Sequence, residues 1–257
     1  MRGKYVQGAI IKTSLPHPRE WMIDRVINEY NEQRSSESCV PEDDLLSFAT
    51  IRMRCFRRDQ PSITADMRIY LQVPFLGTEH QSAQSRGRQK TNFNPRELIA
   101  YHKMTRDEEV SQFTPNLLGY EKGQQSEHGL VPKGFEIAVV WQRVPGVCLG
   151  LPSTVQASPF WDLPLSKRDR VREHFEGQVI KMCRLGAMQA VPTLCSLVFD
   201  EENDRLYWVG FYDADLKKTD GEWHNSWYGI FQLAKPPRGD NTWTKWDWSG
   251  DLHGWTF

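Results

Sequence analysis

The chain has 257 residues, 39% of them hydrophobic before its 18 glycines are counted, so it can bury a sizeable core and make one or two domains of ordinary size. Thirty-two basic and 33 acidic side chains leave a net charge of -1, and a molecule without an overall field is a poor candidate for binding nucleic acid or an anionic membrane. Five cysteines without a C-x-x-C pair read as reduced core residues of a cytoplasmic protein, and no stretch approaches the roughly 18 apolar residues of a membrane span.

After a proline-containing turn at Pro16–Pro18, residues 19–33 place Trp21, Met22, Val26, Ile27 and Tyr30 near one helical stripe, which predicts a first amphipathic helix. A polar connection over 34–45 leads to two alternating segments. Ala49, Ile51, Met53 and Cys55 form the first apolar series, and Ile63, Ala65, Met67, Ile69, Leu71 and Val73 the second. Period two predicts strands, with Asp59–Ser62 as the turn of an antiparallel hairpin. Residues 77–92 carry almost no large apolar side chain and are expected to be a mobile loop. Asn94 and Pro95 supply an N-cap and a proline at the first helical position, opening a helix to about Met104. Strands follow at Asn116–Tyr120 and Phe135–Val144. A capping box at Ser166 and Asp169 then opens a long helix through Val171, Phe175, Val179, Met182, Cys183 and Met188. Leu194–Phe199 and Leu206–Phe211 flank the turn DEEND as a last hairpin, and six of the ten tryptophans fall in the final 35 residues. The order of elements is that of an α+β protein with two lobes.

Several strings in this order resemble the protein-kinase-like fold, particularly its fungal kinase-like and aminoglycoside-phosphotransferase-like branches. ELIAYHKM at 97–104 resembles the small-lobe helix with its ion-pairing glutamate, here Glu97. PNLLGY at 115–120 resembles the strand after it, and AVVWQRVPG at 138–146 the strand and hinge. SLVFDEENDRLYWVGFYDA at 196–214 resembles the catalytic-loop hairpin leading into the D-F-G segment. The resemblance covers about residues 46–214. It implies an N-terminal helix plus an antiparallel small lobe over 1–144, and a truncated, mainly helical large lobe with a Trp-rich tail over 145–257.

The departures from that pattern bear on function. A kinase needs a glycine loop whose amides approach the phosphates, yet no glycine occurs between Gly8 and Gly77. The position of the phosphate-binding lysine holds Gln72 and that of the small residue before it Tyr70; Lys90 is the substitute if the strand is shifted. The catalytic aspartate and the metal-binding asparagine fall on Val191 and Ser196, and the D-F-G aspartate on Gly210. Phosphoryl transfer depends on positioning and on neutralising charge, so the chain is expected neither to bind ATP-magnesium well nor to transfer phosphate, and to use no cofactor and no metal. Its seven histidines show no H-x-x-x-H or H-E-x-x-H spacing, and no G-x-S-x-G or G-x-G-x-x-G string occurs.

What remains admits several roles. Asp213 and Asp215 are either a carboxylate pair for acid-base work or a solvated turn. Glu97 without its lysine is either a buried acid or has turned to solvent. The late tryptophans stack on bases, cover the large lobe's core or cap an apolar pocket.

Two functions are open. In the first, replacement of kinase groups by Tyr70, Gln72, Trp141 and Gly210 turns the interlobe cleft into an aromatic site for an apolar small molecule. That describes a cofactor-independent cyclase or isomerase, such as a Diels-Alderase of fungal secondary metabolism. Orientation alone can supply about 7–11 kcal/mol of such a barrier. Gln72, Glu97, Tyr212 and Asp213 would be its catalytic groups, and Tyr70, Trp141, Arg143 and Phe211 would bind substrate. In the second, the chain is a pseudokinase that binds a protein partner, with the charged loops at 77–92 and 122–133 as docking segments.

Overall fold

In the computed structural model, which describes residues 4–39, 46–151 and 158–257, the chain begins with β1 (Ile10–Thr13) and β2 (Arg19–Glu32). The hairpin β3 (Phe48–Arg57) and β4 (Gln60–Gln72) follows. Residues 40–45 of the polar connection lie outside the described residues. Next come α1 (Ala83–Gly87), α2 (Arg96–Arg106), β5 (Leu117–Gln124) and β6 (Phe135–Gln142). The remainder consists of β7 (Val147–Cys148), α3 (Pro159–Asp162), α4 (Leu165–Leu185), β8 (Met188–Gln189), β9 (Leu197–Asp200), β10 (Arg205–Trp208), β11 (Ala214–Asp215) and α5 (Ser226–Ile230).

Residues 19–32 of the expected helix are therefore a strand, and the reason lies in its pairing. β2 runs antiparallel to β3 with register breaks between Ile23 and Arg25 and between Val26 and Asn28. Each break inserts a residue and shifts the phase of the pleat. Positions opposite the apolar series of β3 thus fall at Ile23, Val26 and Glu29, paired with Cys55, Met53 and Ile51, and at Trp21, paired with Arg57, although only Trp21 and Ile23 are buried. Spacings of two, three and three imitate a helical stripe. Of the supposed stripe, Val26, Ile27 and Tyr30 are 39, 40 and 53% exposed, whereas Trp21 and Ile23 are 0 and 1% exposed. The predicted β3–β4 hairpin is present, but its turn is only Arg58 and Asp59, and Pro61 already lies in β4. The segment 77–92 contains α1, whose first turn is capped by Ser82 Oγ accepting from Ser85 N at 3.1 Å.

Two compact units result, one of Met1–Pro95 with Leu117–Arg143, the other of Arg96–Asn116 with Val144–Phe257. In the first, six antiparallel strands run in the order β1-β2-β3-β4-β6-β5. The outer strands also meet: Leu15 N donates to Tyr120 O at 3.3 Å and Tyr120 N to Leu15 O at 2.8 Å. The sheet thereby curls on itself around a core of Trp21, Ile51, Met53, Cys55, Met67 and Val140, with Tyr5 packed into it. Each such buried side chain contributes about 1.5–3 kcal/mol. At the seam the strands approach so closely that a Cβ on Gly119 would lie 2.6 Å from Thr13 Oγ1, the atom that accepts from Trp21 Nε1 at 3.1 Å.

In the second unit α4 packs its Phe175 flat against Trp208 of β10, 5.2 Å between centroids and 7° between planes, with Phe231 4.8 Å from Phe175. β10-β9-β7 form one sheet and β11-β8 another. The expected capping box does not form, because Pro164 is the N-cap of α4 and Ser166 lies within the helix. Asp169 instead accepts from Arg172 at 2.7 Å, and this buried arginine donates to Leu233 O and lies between the rings of Phe160 and Phe257. The helix stops at Gly186, which has a φ of 66°, so Met188 belongs to β8. Of the tail tryptophans, Trp243 lies against Gly229 and Trp255 stacks with Trp248, while Trp246 is 96% exposed. Among the described residues no helix is long and apolar enough to cross a membrane.

Two outcomes follow from the curled sheet. Gly119→Ala should destabilise the protein by about 1–3 kcal/mol through overpacking at the seam, read by denaturant titration. Burial in the core pushes the Cys55 thiol up to about 12, with the charge of Asp66 adding to the effect, so at pH 8 it is protonated and enclosed. Mass-spectrometric mapping after iodoacetamide treatment of the native protein should find Cys55 unmodified and the partly exposed Cys39 modified.

Candidate functional site

In the first unit the sequence-derived candidates are Tyr70, Gln72, Trp141 and Arg143. Alternation along β4 sends Met67 and Ile69 into the core and Arg68, Tyr70 and Gln72 to the opposite face. Tyr70 is 1% exposed, with its ring 6.0 Å from Phe48 and 5.7 Å from Phe93. Trp141 is 5% exposed on β6, and the Arg68 guanidinium lies 5.6 Å from its ring centroid, a cation–π contact. Arg143 is exposed just beyond the end of β6, and Lys90, the alternative phosphate lysine, is exposed in its loop.

Gln72 has a different role from the lysine whose position it occupies. It is 2% exposed; its Nε2 donates to Gln89 O at 2.6 Å and its Oε1 accepts from Thr91 N at 3.2 Å. The backbone carbonyl of Gln72 accepts from Gln125 Nε2 at 2.8 Å, and Gln125 Oε1 accepts from Val131 N at 3.2 Å. Two buried carboxamides thus tie the segments around 89–91 and 125–131 to β4. Sequence reasoning missed Gln125 altogether, since a lone glutamine in the polar string KGQQSEHG carries no sign of burial.

Next to the Tyr70 cluster, Phe93, Phe135 and Ile137 floor an open concavity of about 520 Å³ whose walls include Asn92, Asn94, Gln124 and Lys122. None of the predicted site residues lines it.

In the second unit Glu97 of α2 is 1% exposed, which excludes a glutamate turned to solvent. Phe211 is fully buried, edge-on to Tyr101 at 5.7 Å. Tyr212 is half-buried, whereas Asp213 and Asp215 are both exposed, and Asp215 Oδ1 accepts from Lys217 N at 3.0 Å. The DAD string is a solvated turn into β11. Gly210, at the position of the metal-binding aspartate, has a φ of 82°, a conformation that favours glycine whatever the surrounding space. Among the described residues no group of three or more His, Cys, Asp or Glu side chains is placed to hold a metal ion.

No protein-family model matches the chain, and no curated protein matches it. Among 175 solved chains that do match is the Cydia pomonella granulovirus kinase PK-1, at 10% identity and a TM-score of 0.42. The match covers 76% of this chain and 52% of the viral one, so the chain spans about half the length of that kinase.

If Gln72 acts as a tie, Gln72→Leu should strand buried backbone groups at a cost of about 1–3 kcal/mol. Hydrogen exchange should then speed up at Thr91 while amides of α4 keep their protection.

Proposed function

We propose that the chain is a non-phosphorylating protein of kinase-like type that works by binding a protein partner, a regulatory module rather than a cyclase. The kinase-like part of this reading rests on the ordered strings at 97–104, 115–120, 138–146 and 196–214. The observation that carries its non-phosphorylating part is Gln72. Where the resemblance asks for a charged lysine reaching a phosphate, a neutral carboxamide is buried and spends both of its polar atoms on backbone groups of residues 89 and 91. A group already committed in this way cannot turn to a ligand without leaving buried polar atoms unpaired. Gly210 agrees with this, since it brings no carboxylate to the metal position.

The rings assigned to an apolar substrate, Tyr70, Trp141 and Phe211, expose 5% or less of their surface. Tyr70 and Phe211 pack on aromatic neighbours and Trp141 lies under Arg68. That weighs against the cofactor-free cyclase or isomerase of secondary metabolism. One observation favours a small-molecule reading, the concavity floored by Phe93, Phe135 and Ile137, which combines an apolar base with amide walls as ligand sites commonly do.

Native mass spectrometry of the protein taken from its producer separates the two. The expected result is a stoichiometric polypeptide partner and an apolar-ligand-free chain; a retained polyene or terpenoid would overturn the reading. Incubation with ATP and magnesium should release no ADP and transfer no phosphate, as expected where Gln72 and Gly210 stand in place of the lysine and the carboxylate.

A further inference from the structure

The near-neutral charge of the chain conceals a local excess on the face of the first unit's sheet opposite its core. Register sets Arg25 of β2 beside Arg54 of β3, Arg54 beside Asp66 of β4, and Asp66 beside Trp141 of β6. The next row runs Asn28, Arg52, Arg68 and Val139. Directly opposed residues on antiparallel strands have Cβ atoms about 5 Å apart, and like charges there are destabilising. Two such arginine pairs, Arg25 with Arg54 and Arg52 with Arg68, stand side by side.

The available counter-charges do not balance them. Asp66 pairs with Arg52 at 2.7 Å, and Arg68 lies over Trp141. Among the described residues no carboxylate comes within ion-pair distance of Arg25, Arg54 or Arg143, and the Nε atoms of Arg52 and Arg54 are buried without a hydrogen-bond partner. Loss of solvation, followed by the nearby charges of Arg143 and Arg25, holds the Arg54 guanidinium below the usual arginine range; Asp66 and Asp24 offset this only in part. The third row, Tyr30, Thr50 and Tyr70, carries no charge, so the excess is confined to a compact area.

We propose that Arg25, Arg54 and Arg143, backed by Arg52, form a binding site for a small oligophosphate, a pyrophosphate or a clustered phosphate ester. Planar guanidinium forks match phosphate oxygens bidentately. Arg25, Arg52, Arg54 and Arg143 against Asp24 and Asp66 leave an excess that a multiply charged anion would neutralise. A ligand confined to two rows fits this boundary; an extended polyanion does not. The inference goes beyond recognition of a protein partner and stands whether or not that reading holds.

The test is isothermal titration of the full chain with inorganic tripolyphosphate, pyrophosphate and sulfate at fixed ionic strength. Affinity should fall in that order. Arg54→Gln and Arg143→Gln should each weaken tripolyphosphate binding by about tenfold or more, as expected for one charged hydrogen-bond donor. Lys12→Gln removes the same charge from an exposed lysine on β1 that pairs with Glu20, and should leave the affinity nearly unchanged. Arg143 is exposed, so its variant should keep the wild-type melting curve. Absence of tripolyphosphate binding would overturn the proposal, as would equal affinity in the Arg54 and Arg143 variants or an equal loss with Lys12→Gln.

Discussion

The pair of backbone hydrogen bonds between Leu15 and Tyr120 is the constraint on which the first unit depends. It joins the two outer strands of a six-stranded sheet, and sheets curl this way only where backbones can come close. Glycine at 119 permits the approach, and Ser14, donating through both N and Oγ to the Glu121 carboxylate, fastens the neighbouring residues. Once the sheet is curled, its inner face is committed to apolar packing. The opposite face carries the Gln72 tie and the arginine rows.

How much of this was legible varied with how local the cause was. The β3–β4 hairpin, α2, β5, β6, α4 and the β9–β10 hairpin were readable because each follows from spacing or from turn residues within its own segment. β2 was not, because its two bulges exist only in register with β3 and convert a period of two into something close to a helical one. The Ser166–Asp169 capping box failed because the N-cap lies two residues earlier, at Pro164, and Asp169 is bonded to Arg172. That arginine's other partners, Leu233 and Phe257, lie more than 60 residues away in the chain and follow from no local spacing. At the candidate site the loss of kinase groups was visible, but the reuse of Gln72 was not, since its partners Gln89, Thr91 and Gln125 follow from no motif. The glycine at 210 was read as a missing carboxylate; its positive φ adds that the turn itself favours glycine there.

Net charge proved a poor guide to local field. A total of -1 averages over well-separated ion pairs, such as Arg170 with Glu173 and Asp204 or Lys167 with Glu201 in the second unit, and over the uncompensated arginines of the first. Fields act over roughly 8–10 Å at physiological salt, so what a ligand meets is the neighbourhood and not the sum. That neighbourhood is set by which residues the strands align.

The outer edge of β2 carries a further consequence. β1 covers β2 only as far as Met22, with Gly8 and Ala9 extending the contact to Ile23. Beyond that, no neighbouring strand lies along the edge among the described residues. Such an edge, showing Val26, Ile27 and Tyr30, would ordinarily invite a strand from another molecule and so lead towards fibrils. The two bulges that obscured β2 in the sequence break the regular ladder an incoming strand would need, and Arg25, Glu29 and Glu32 place charge along the same stretch. The irregularity of this strand thus works against strand addition along a stretch that no other described strand covers.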